Sequence, residues 1–338
     1  MTDTPTYLHW PSGLQRRSTN VWVDADGNRV DDEVTLARLR ALALPPAWRH
    51  VWASPDPHAR IQARGIDSRG RIQYRYSAEA TEQAAKNKFS HMLHFAENLP
   101  QLRARVMKDL RRRPPSPDVD QVTALAVRIL DLGLFRVGTG KYARDNHTYG
   151  LTTLEPSHVR VHSPQIDFDF IGKEHIRQQH QLYDRPSARV MSNLLATHSE
   201  ASSDFLFRTE NPSHRVDSAT VNSYIHAVSG SAASAKVFRT WGATVIAAAV
   251  TGGASFQTEH QHKDPTLHAY DAAAHVLGNT PTMARSSYVH PRATEIGQLK
   301  SVRNAVQDTA ERMGTDEVHR IFADEELQET VRIELVEQ

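Results

Sequence analysis

The sequence predicts an α+β protein, with a small β-rich N-terminal domain over 1–88 and a larger, mostly helical domain over 89–338 that holds a small antiparallel sheet. Three observations predict it. The first 80 or so residues read as short alternating runs broken by glycine turns. From about Ala78 the apolar spacing lengthens to the helical period, and between Thr148 and Phe170 it shortens again to two. The length of 338 residues suits about two domains, and 39% hydrophobic residues suffice for packed cores.

In chain order, VWVDADGNRV turns at Asp26-Gly27 and GIDSRGRIQYRY turns at Arg69-Gly70. DADGN invites a calcium-loop reading, but Arg29 stands where that loop needs glycine and Thr35 where it needs glutamate. Leu36–Leu42 reads as a short helix stopped by Pro45-Pro46. Ala78–Leu99 reads as one helix and Pro100–Arg113 as a second, with the prolines from Pro114 to Pro117 as the break. Asp118–Leu134 is a third, with Val122, Leu125, Ala126, Ile129 and Leu130 on one face. Val159, Val161, Ile166, Phe168 and Phe170 alternate as strands. Helices resume at Ser187–Thr197, Ser218–Val228, Ser234–Ala249, Pro265–Leu277 and Thr294–Met313.

Composition excludes several classes of chemistry. With no cysteine there is no disulfide framework, thiolate zinc site, iron–sulfur cluster or cysteine nucleophile. The longest apolar stretch, Ala243 to Val250, is far short of the roughly 20 residues of a membrane span. The start, MTDTPTYLHW, lacks a basic and apolar signal pattern, so a soluble cytoplasmic protein is expected. Among nineteen histidines, His91 and His94 share a helix face and His260 and His262 a polar loop, without a third ligand at diagnostic spacing. No metal site is expected. GTGK at Gly138–Lys141 lacks the spacing of a phosphate-binding nucleotide loop, so no ATP use is indicated.

The net charge of +1 hides a segregation. Arg38 to Arg113 holds 16 basic and 6 acidic residues, whereas Asp316 to Gln338 holds eight acids and two bases. A basic first third favours a polyanion partner over a merely solvated face only when aromatic and amide groups are interleaved. Here Gln73, Tyr74 and Tyr76 lie among Arg69, Arg71 and Arg75.

The densest motifs come later. FRVGTGKYARDNHTYGLTTL carries Arg136, Tyr142 and Asn146; IDFDFIGKEH places Lys173 just after a strand. AKVFRTWGATV sets Lys236 and Arg239 three apart on a helix, and LGNTPTMARSSYVHP sets Tyr288 nine residues after Asn279. Together these strings resemble the poxvirus-type branch of type IB DNA topoisomerases, in the short bacterial form of the deinococcal kind. The likeness spans most of the chain, in the family's motif order.

The resemblance implies roles residue by residue. Arg136 takes the first arginine place, Lys173 the lysine, Arg239 the second arginine and Tyr288 the nucleophile. Asn279 stands where the family's Leu-Gly-His-Thr-Pro has histidine. Gln73, Tyr74 and Tyr76 match the residues that read the major groove, with Arg69, Arg71, Tyr142 and Lys236 as further DNA contacts. It also implies a monomeric C-shaped clamp on double-stranded DNA in the bacterial nucleoid, without ATP, metal or small-molecule cofactor, and with no membrane partner.

The chemistry is consistent with those roles. Two guanidiniums can grip the non-bridging oxygens of a phosphodiester and stabilise a pentavalent transition state. A lysine can donate the proton that the leaving 5′-oxygen needs. A phenol, near pKa 10 when unperturbed, becomes a better nucleophile in a cationic site. Asn279 can donate a hydrogen bond but carries no charge. Singly, each residue also reads as ordinary: a helix-end cation, a turn lysine, a residue after a helix stop, a half-buried tyrosine. Two rival functions stand beside the topoisomerase. A tyrosine recombinase would show His-x-x-Arg-His where Lys236 and Thr240 flank Arg239, and its acidic tail would need a protein-exchange helix that the sequence does not display. A non-catalytic DNA-binding module would fit the basic third equally well.

Overall fold

The computed structural model describes residues 10–198, 204–210, 213–230, 233–257 and 262–337. The first nine residues, His260 and the side chain of Tyr142 lie outside the described residues. The chain divides into two compact units, Met1–Lys88 and Phe89–Gln338.

The first unit is a five-stranded antiparallel sheet with one helix. Its elements are β1 (Leu14–Ser18), β2 (Val21–Val23), α1 (Glu33–Ala41), β3 (Arg49–Ala53), β4 (Ile61–Ile66) and β5 (Ile72–Tyr76), in sheet order β2-β1-β3-β4-β5. Alternation decides the faces: Val51, Ala53 and Ala63 are buried with Leu14, Trp22 and Leu39 of α1. α1 begins three residues before the expected Leu36, because the Asp32 carboxylate accepts from Thr35 N and caps the helix there. In the DADGN turn Asp24 accepts from the backbone N–H of Asp26 and Asn28, and Gly27 takes φ +87°. β5 is the edge strand, joined to β4 by the turn at Gly70.

The second unit is helical around two nearly all-buried helices. α2 (Ala78–Arg111), whose residues up to Lys88 belong to the first unit, is one continuous helix, which corrects the expected break at Pro100. Pro100 lies on the exposed side, while Phe95, Leu99, Leu102, Val106 and Leu110 continue one buried stripe past it. Each such side chain contributes about 1.5–3 kcal/mol, so the stripe outweighs the roughly 3 kcal/mol cost of an interior proline. α3 (Val119–Gly133) is capped by Asp118 and ends at Leu134 in the left-handed region. It is buried on all sides from Gln121 to Val127, not on one face alone. Arg103 and Asp131 join α2 to α3 through two hydrogen bonds of 2.8 Å.

After α4 (Gly140–Asn146), strands β6 (Val159–His162), β7 (Gln165–Ile171) and β8 (Arg177–Tyr183) form an antiparallel sheet in that order. β8, RQQHQLY, was not expected from the sequence: without apolar contrast its alternation is invisible. There follow α5 (Arg185–Ala196), the hairpin β9 (Arg208–Glu210) and β10 (Ser213–Arg215), α6 (Ser218–Ser229), α7 (Lys236–Thr251), α8 (Pro265–Leu277) and α9 (Pro281–Ser287). α7 is buried from Phe238 to Val250 and packs along α8.

The C-terminal part departs from expectation twice. Thr294–Met313 is not one helix but α10 (Ala293–Ile296) and α11 (Lys300–Met313). A Cβ at Gly297 would lie 1.9 Å from Thr251 Oγ1, so that glycine gives the close approach to α7 at which the chain changes direction. The acidic tail, to which the sequence assigns no element, forms α12 (Val318–Ile321) and α13 (Glu325–Val336). Leu327, Val331 and Leu335 of α13 are buried in the unit's own core. No helix among the described residues is long and apolar enough to cross a membrane.

Candidate active site

Arg239 is the structural centre of the site. It projects from the buried α7 and is only 4% exposed. Its Nη1 donates to Leu134 O at 2.6 Å and its Nη2 to Leu277 O at 2.9 Å. Those carbonyls end α3 and α8, where helix carbonyls lack internal partners and the dipole is negative. One guanidinium thus ties two helix ends together, and its Nε remains buried without a hydrogen-bond partner. Desolvation, with the nearby charge of Arg136, lowers its pKa to about 10, and the Tyr288 phenol opposes that shift. It remains a cation at neutral pH.

Arg136 follows the αL residue Leu134 by two positions, and its carbonyl accepts from Leu151 N at 2.8 Å. This pairing needs Gly138 and Gly150 back to back: a Cβ on Gly150 would sit 2.6 Å from Gly138 Cα. Half-buried, Arg136 sends Nη2 to Gly278 O at 3.3 Å and to Asn279 Oδ1.

Gly278, at φ +59°, stops α8 and delivers Asn279, whose N–H donates to Ala274 O at 2.9 Å. Thr280 and Pro281 then start α9, whose two turns carry the chain to Tyr288 at its C-terminal end. That short helix accounts for the nine-residue spacing from Asn279 to Tyr288. With its Oδ1 committed to Arg136, Asn279 keeps its Nδ2 buried and unpartnered.

Tyr288 is half-buried, with Arg239 Cζ 5.2 Å from its ring centre. Burial alone would raise the phenol pKa. The charge and N–H groups of Arg239, the charge of Arg136 and the Asn279 amide outweigh burial, and the pKa is lowered. Arg239 and Asn279 thus act on the phenol, although neither Arg239 Nε nor Asn279 Nδ2 makes a hydrogen bond of full geometry.

Lys173 opens a single 3₁₀ turn between β7 and β8; the following Glu174 and His175 both have positive φ. It lines the same cleft as Arg136 and Arg239, but its side chain is 64% exposed and its Nζ lies 3.6 Å from Glu174. Four of the five sequence-derived residues therefore touch in a chain, and the lysine sits at the cleft wall. Sequence reasoning missed two neighbours, both on β8. Gln178 lines the cleft beside Gly172 and Gly278. His180 packs 4.5 Å from the Phe135 ring, and burial, then Arg239 and His275, lower its pKa to about 4. Their only signal is their alternate placement on one strand.

The expected DNA-contact residues fall elsewhere. Lys236 is exposed at the first turn of α7. In the first unit, Tyr74 and Tyr76 stack on one face of β5, ring centres 6.0 Å apart, while strand alternation turns Gln73 to the other. Gln73 Nε2 and Arg71 Nε both donate to the Asp67 carboxylate, at 2.9 and 2.8 Å, and Arg69 N caps its other oxygen. Those bonds, Arg71 first, lower the Asp67 pKa to about 2. The hairpin tip is thus internally braced. Among the described residues no cluster of three or more histidine or acidic side chains could hold a metal ion.

Two guanidiniums, an amide donor and a polarised phenol in one cluster can hold an oxyanion against a tyrosine, the equipment for phosphoryl transfer to a protein hydroxyl. Residues 77–315 match the catalytic core of eukaryotic DNA topoisomerase I, and residues 20–67 match the N-terminal domain of bacterial DNA topoisomerase IB. The chain is 27% identical over 300 residues to DNA topoisomerase 1B of Acanthamoeba polyphaga mimivirus, covering 86% of this chain and 89% of that protein. It is 25% identical over 144 residues to DNA topoisomerase 1B of Vaccinia virus (strain Copenhagen), covering 42% and 45%. The chain belongs to the type IB DNA topoisomerase family.

Proposed function

We propose that this enzyme relaxes supercoiled duplex DNA through a transient 3′-phosphotyrosyl bond formed by Tyr288. The observation that carries the assignment is the Arg239–Tyr288–Asn279–Arg136 cluster, in which the phenol is already acidified. Tyr288 attacks the phosphorus and expels the deoxyribose 5′-oxygen. Arg136 and Arg239 stabilise the charge on the non-bridging oxygens, with Asn279 Nδ2 as a neutral donor beside them. Lys173 swings from Glu174 to protonate the leaving oxygen. The free 5′ end rotates and then attacks the phosphotyrosine, restoring the strand. The new ester keeps the energy of the old one, so ATP is not consumed.

The reading extends to a monomer that closes on duplex DNA as a C-shaped clamp, acts in the bacterial cytoplasm at the nucleoid, and is kin to short bacterial enzymes of the deinococcal kind. The bacterial N-terminal match supports the bacterial part of it. In this reading the first unit, 1–88, is the DNA-binding domain and 89–338 the catalytic one. The test is relaxation of positively and negatively supercoiled plasmid in EDTA without nucleotide. Relaxation of one sign only, or an absolute need for a divalent ion, would refute the mechanism.

A further inference from the structure

Arg64 on β4 is spent differently from its neighbouring arginines. Arg71 is committed to Asp67, Arg38 to Gln62 and Ser54 O, and Arg16 to the carbonyls of Pro45 and Trp48. Arg64 instead lies over two indoles, its Cζ 4.7 Å from the Trp52 ring centre and 5.0 Å from that of Trp10. Among the described residues no carboxylate or other acceptor meets it, and its Nε is buried without a partner. The indole N–H groups of Trp10 and Trp52 are likewise buried and unpartnered.

Buried donors without acceptors are costly and few in a folded protein, and here three collect around one side chain. Trp52 is only 5% exposed, and a Cβ on Gly13 would lie 2.3 Å from its Nε1, so the chain closes tightly over that edge. A cation–π contact consumes no N–H donor of the guanidinium. The register sets Arg64 opposite both Trp52 and Tyr74, so the cluster shares a sheet face with the exposed tyrosine pair Tyr74 and Tyr76.

We propose that Arg64, held against Trp10 and Trp52, is a preorganised grip for one backbone phosphate of duplex DNA. The inference rests on the reading of the first unit as a DNA-binding domain. A bidentate guanidinium fits a phosphate edge, and its ordering entropy is already spent in the indole stack.

The test is binding of the full chain to a short duplex over a range of NaCl, alongside thermal melting of each protein. Arg64→Gln should lower the log–log salt slope by about 0.9, the share of one phosphate. Arg64→Lys should keep the slope yet bind severalfold more weakly, because an ammonium lacks the fork. An unchanged slope in Arg64→Gln overturns the proposal, and a lower melting temperature with unchanged binding shows the stack to be structural only. If inorganic phosphate at matched ionic strength perturbs tryptophan emission while the duplex slope of Arg64→Gln stays intact, the site takes a free anion, and the proposal again fails. Failure of the unmutated protein to bind duplex at all would instead refute the DNA-binding reading of the unit.

Discussion

Arg239 holds its Cζ 5.2 Å from the Tyr288 ring centre while both its terminal nitrogens bond helix-end carbonyls, at Leu134 and Leu277. The cation that acidifies the phenol is therefore fixed by the fold before any phosphate arrives. Preorganisation of this kind avoids reorganisation cost at the moment of reaction.

Arg239→Gln should raise the Tyr288 pKa towards its ordinary value. The sign follows from the phenol's lowered pKa: the cations favour the phenolate, and removing one favours the neutral form. The alkaline rise of single-turnover cleavage should therefore move to higher pH, and the tyrosinate absorbance lost in Tyr288→Phe should titrate later. A titration at unchanged pH would show that Arg239 does not set the phenol's acidity.

Tyr288→Phe removes one oxygen and leaves the ring stacked near Arg239. Covalent adduct trapped by detergent on nicked plasmid should vanish, while duplex affinity stays within a few fold, since phosphate contacts set it. A surviving adduct would move the nucleophile to another residue.

Asn279 joins Arg136 to the phenol, so its substitutions should separate hydrogen bonding from charge. Asn279→Ala should slow cleavage about tenfold, the value of one neutral hydrogen bond at about 1–1.5 kcal/mol. Asn279→His should preserve or raise the rate. Asn279→Asp would pair with Arg136 but set a negative charge beside the phenol and the phosphate, and should lose far more than alanine does. Equal rates for the alanine and aspartate variants would refute this electrostatic account.

His180 gives the stability of the fold a pH dependence. Its pKa is about 4 in the folded protein, below the ordinary 6.5, because burial and Arg239 disfavour its charged form. The unfolded chain therefore binds the extra proton first as pH falls. The stabilisation is complete above pH 6.5 and is lost progressively down to about pH 4, to a total of order 3 kcal/mol. Denaturant titrations at both ends of that window, compared with His180→Gln, should show a flatter profile in the variant. Parallel profiles would place the pH dependence elsewhere.

In the sequence the candidate site stands out through the order of its motifs, while its residues occupy ordinary punctuation marks of the chain. Arg136 follows a helix end, Asn279 follows a glycine stop and Tyr288 ends a helix begun by Thr280-Pro281. Local stop and start signals fix where these residues fall on the chain, but singly they mark no site. Gln178 and His180 were not legible, since a strand of mostly polar residues has no hydrophobic period and its partner β7 alone defines its faces. Pro100 misled for a related reason: the proline is local, whereas the buried stripe that overrides it is tertiary. The link between Arg239 and two helix carbonyls is also beyond sequence, because Leu134 and Leu277 are 105 and 38 residues away.

Lys173 supplies the sharpest test of mechanism, because it is the one site residue whose charged end lies away from the cluster, 3.6 Å from Glu174. If it is the general acid, Lys173→Ala should slow cleavage of ordinary DNA by about a hundred- to ten-thousandfold. A substrate with sulfur in place of the bridging 5′-oxygen departs as a stable thiolate and needs no proton. On it Lys173→Ala should cleave almost as fast as the unmutated enzyme. Arg136→Ala and Arg239→Ala should recover much less, since charge on the non-bridging oxygens still develops and Arg239 also holds two helix ends. A Lys173→Ala enzyme that sulfur fails to rescue would make the lysine a phosphate-positioning group, and the proton donor would have to come from another side chain of the cleft.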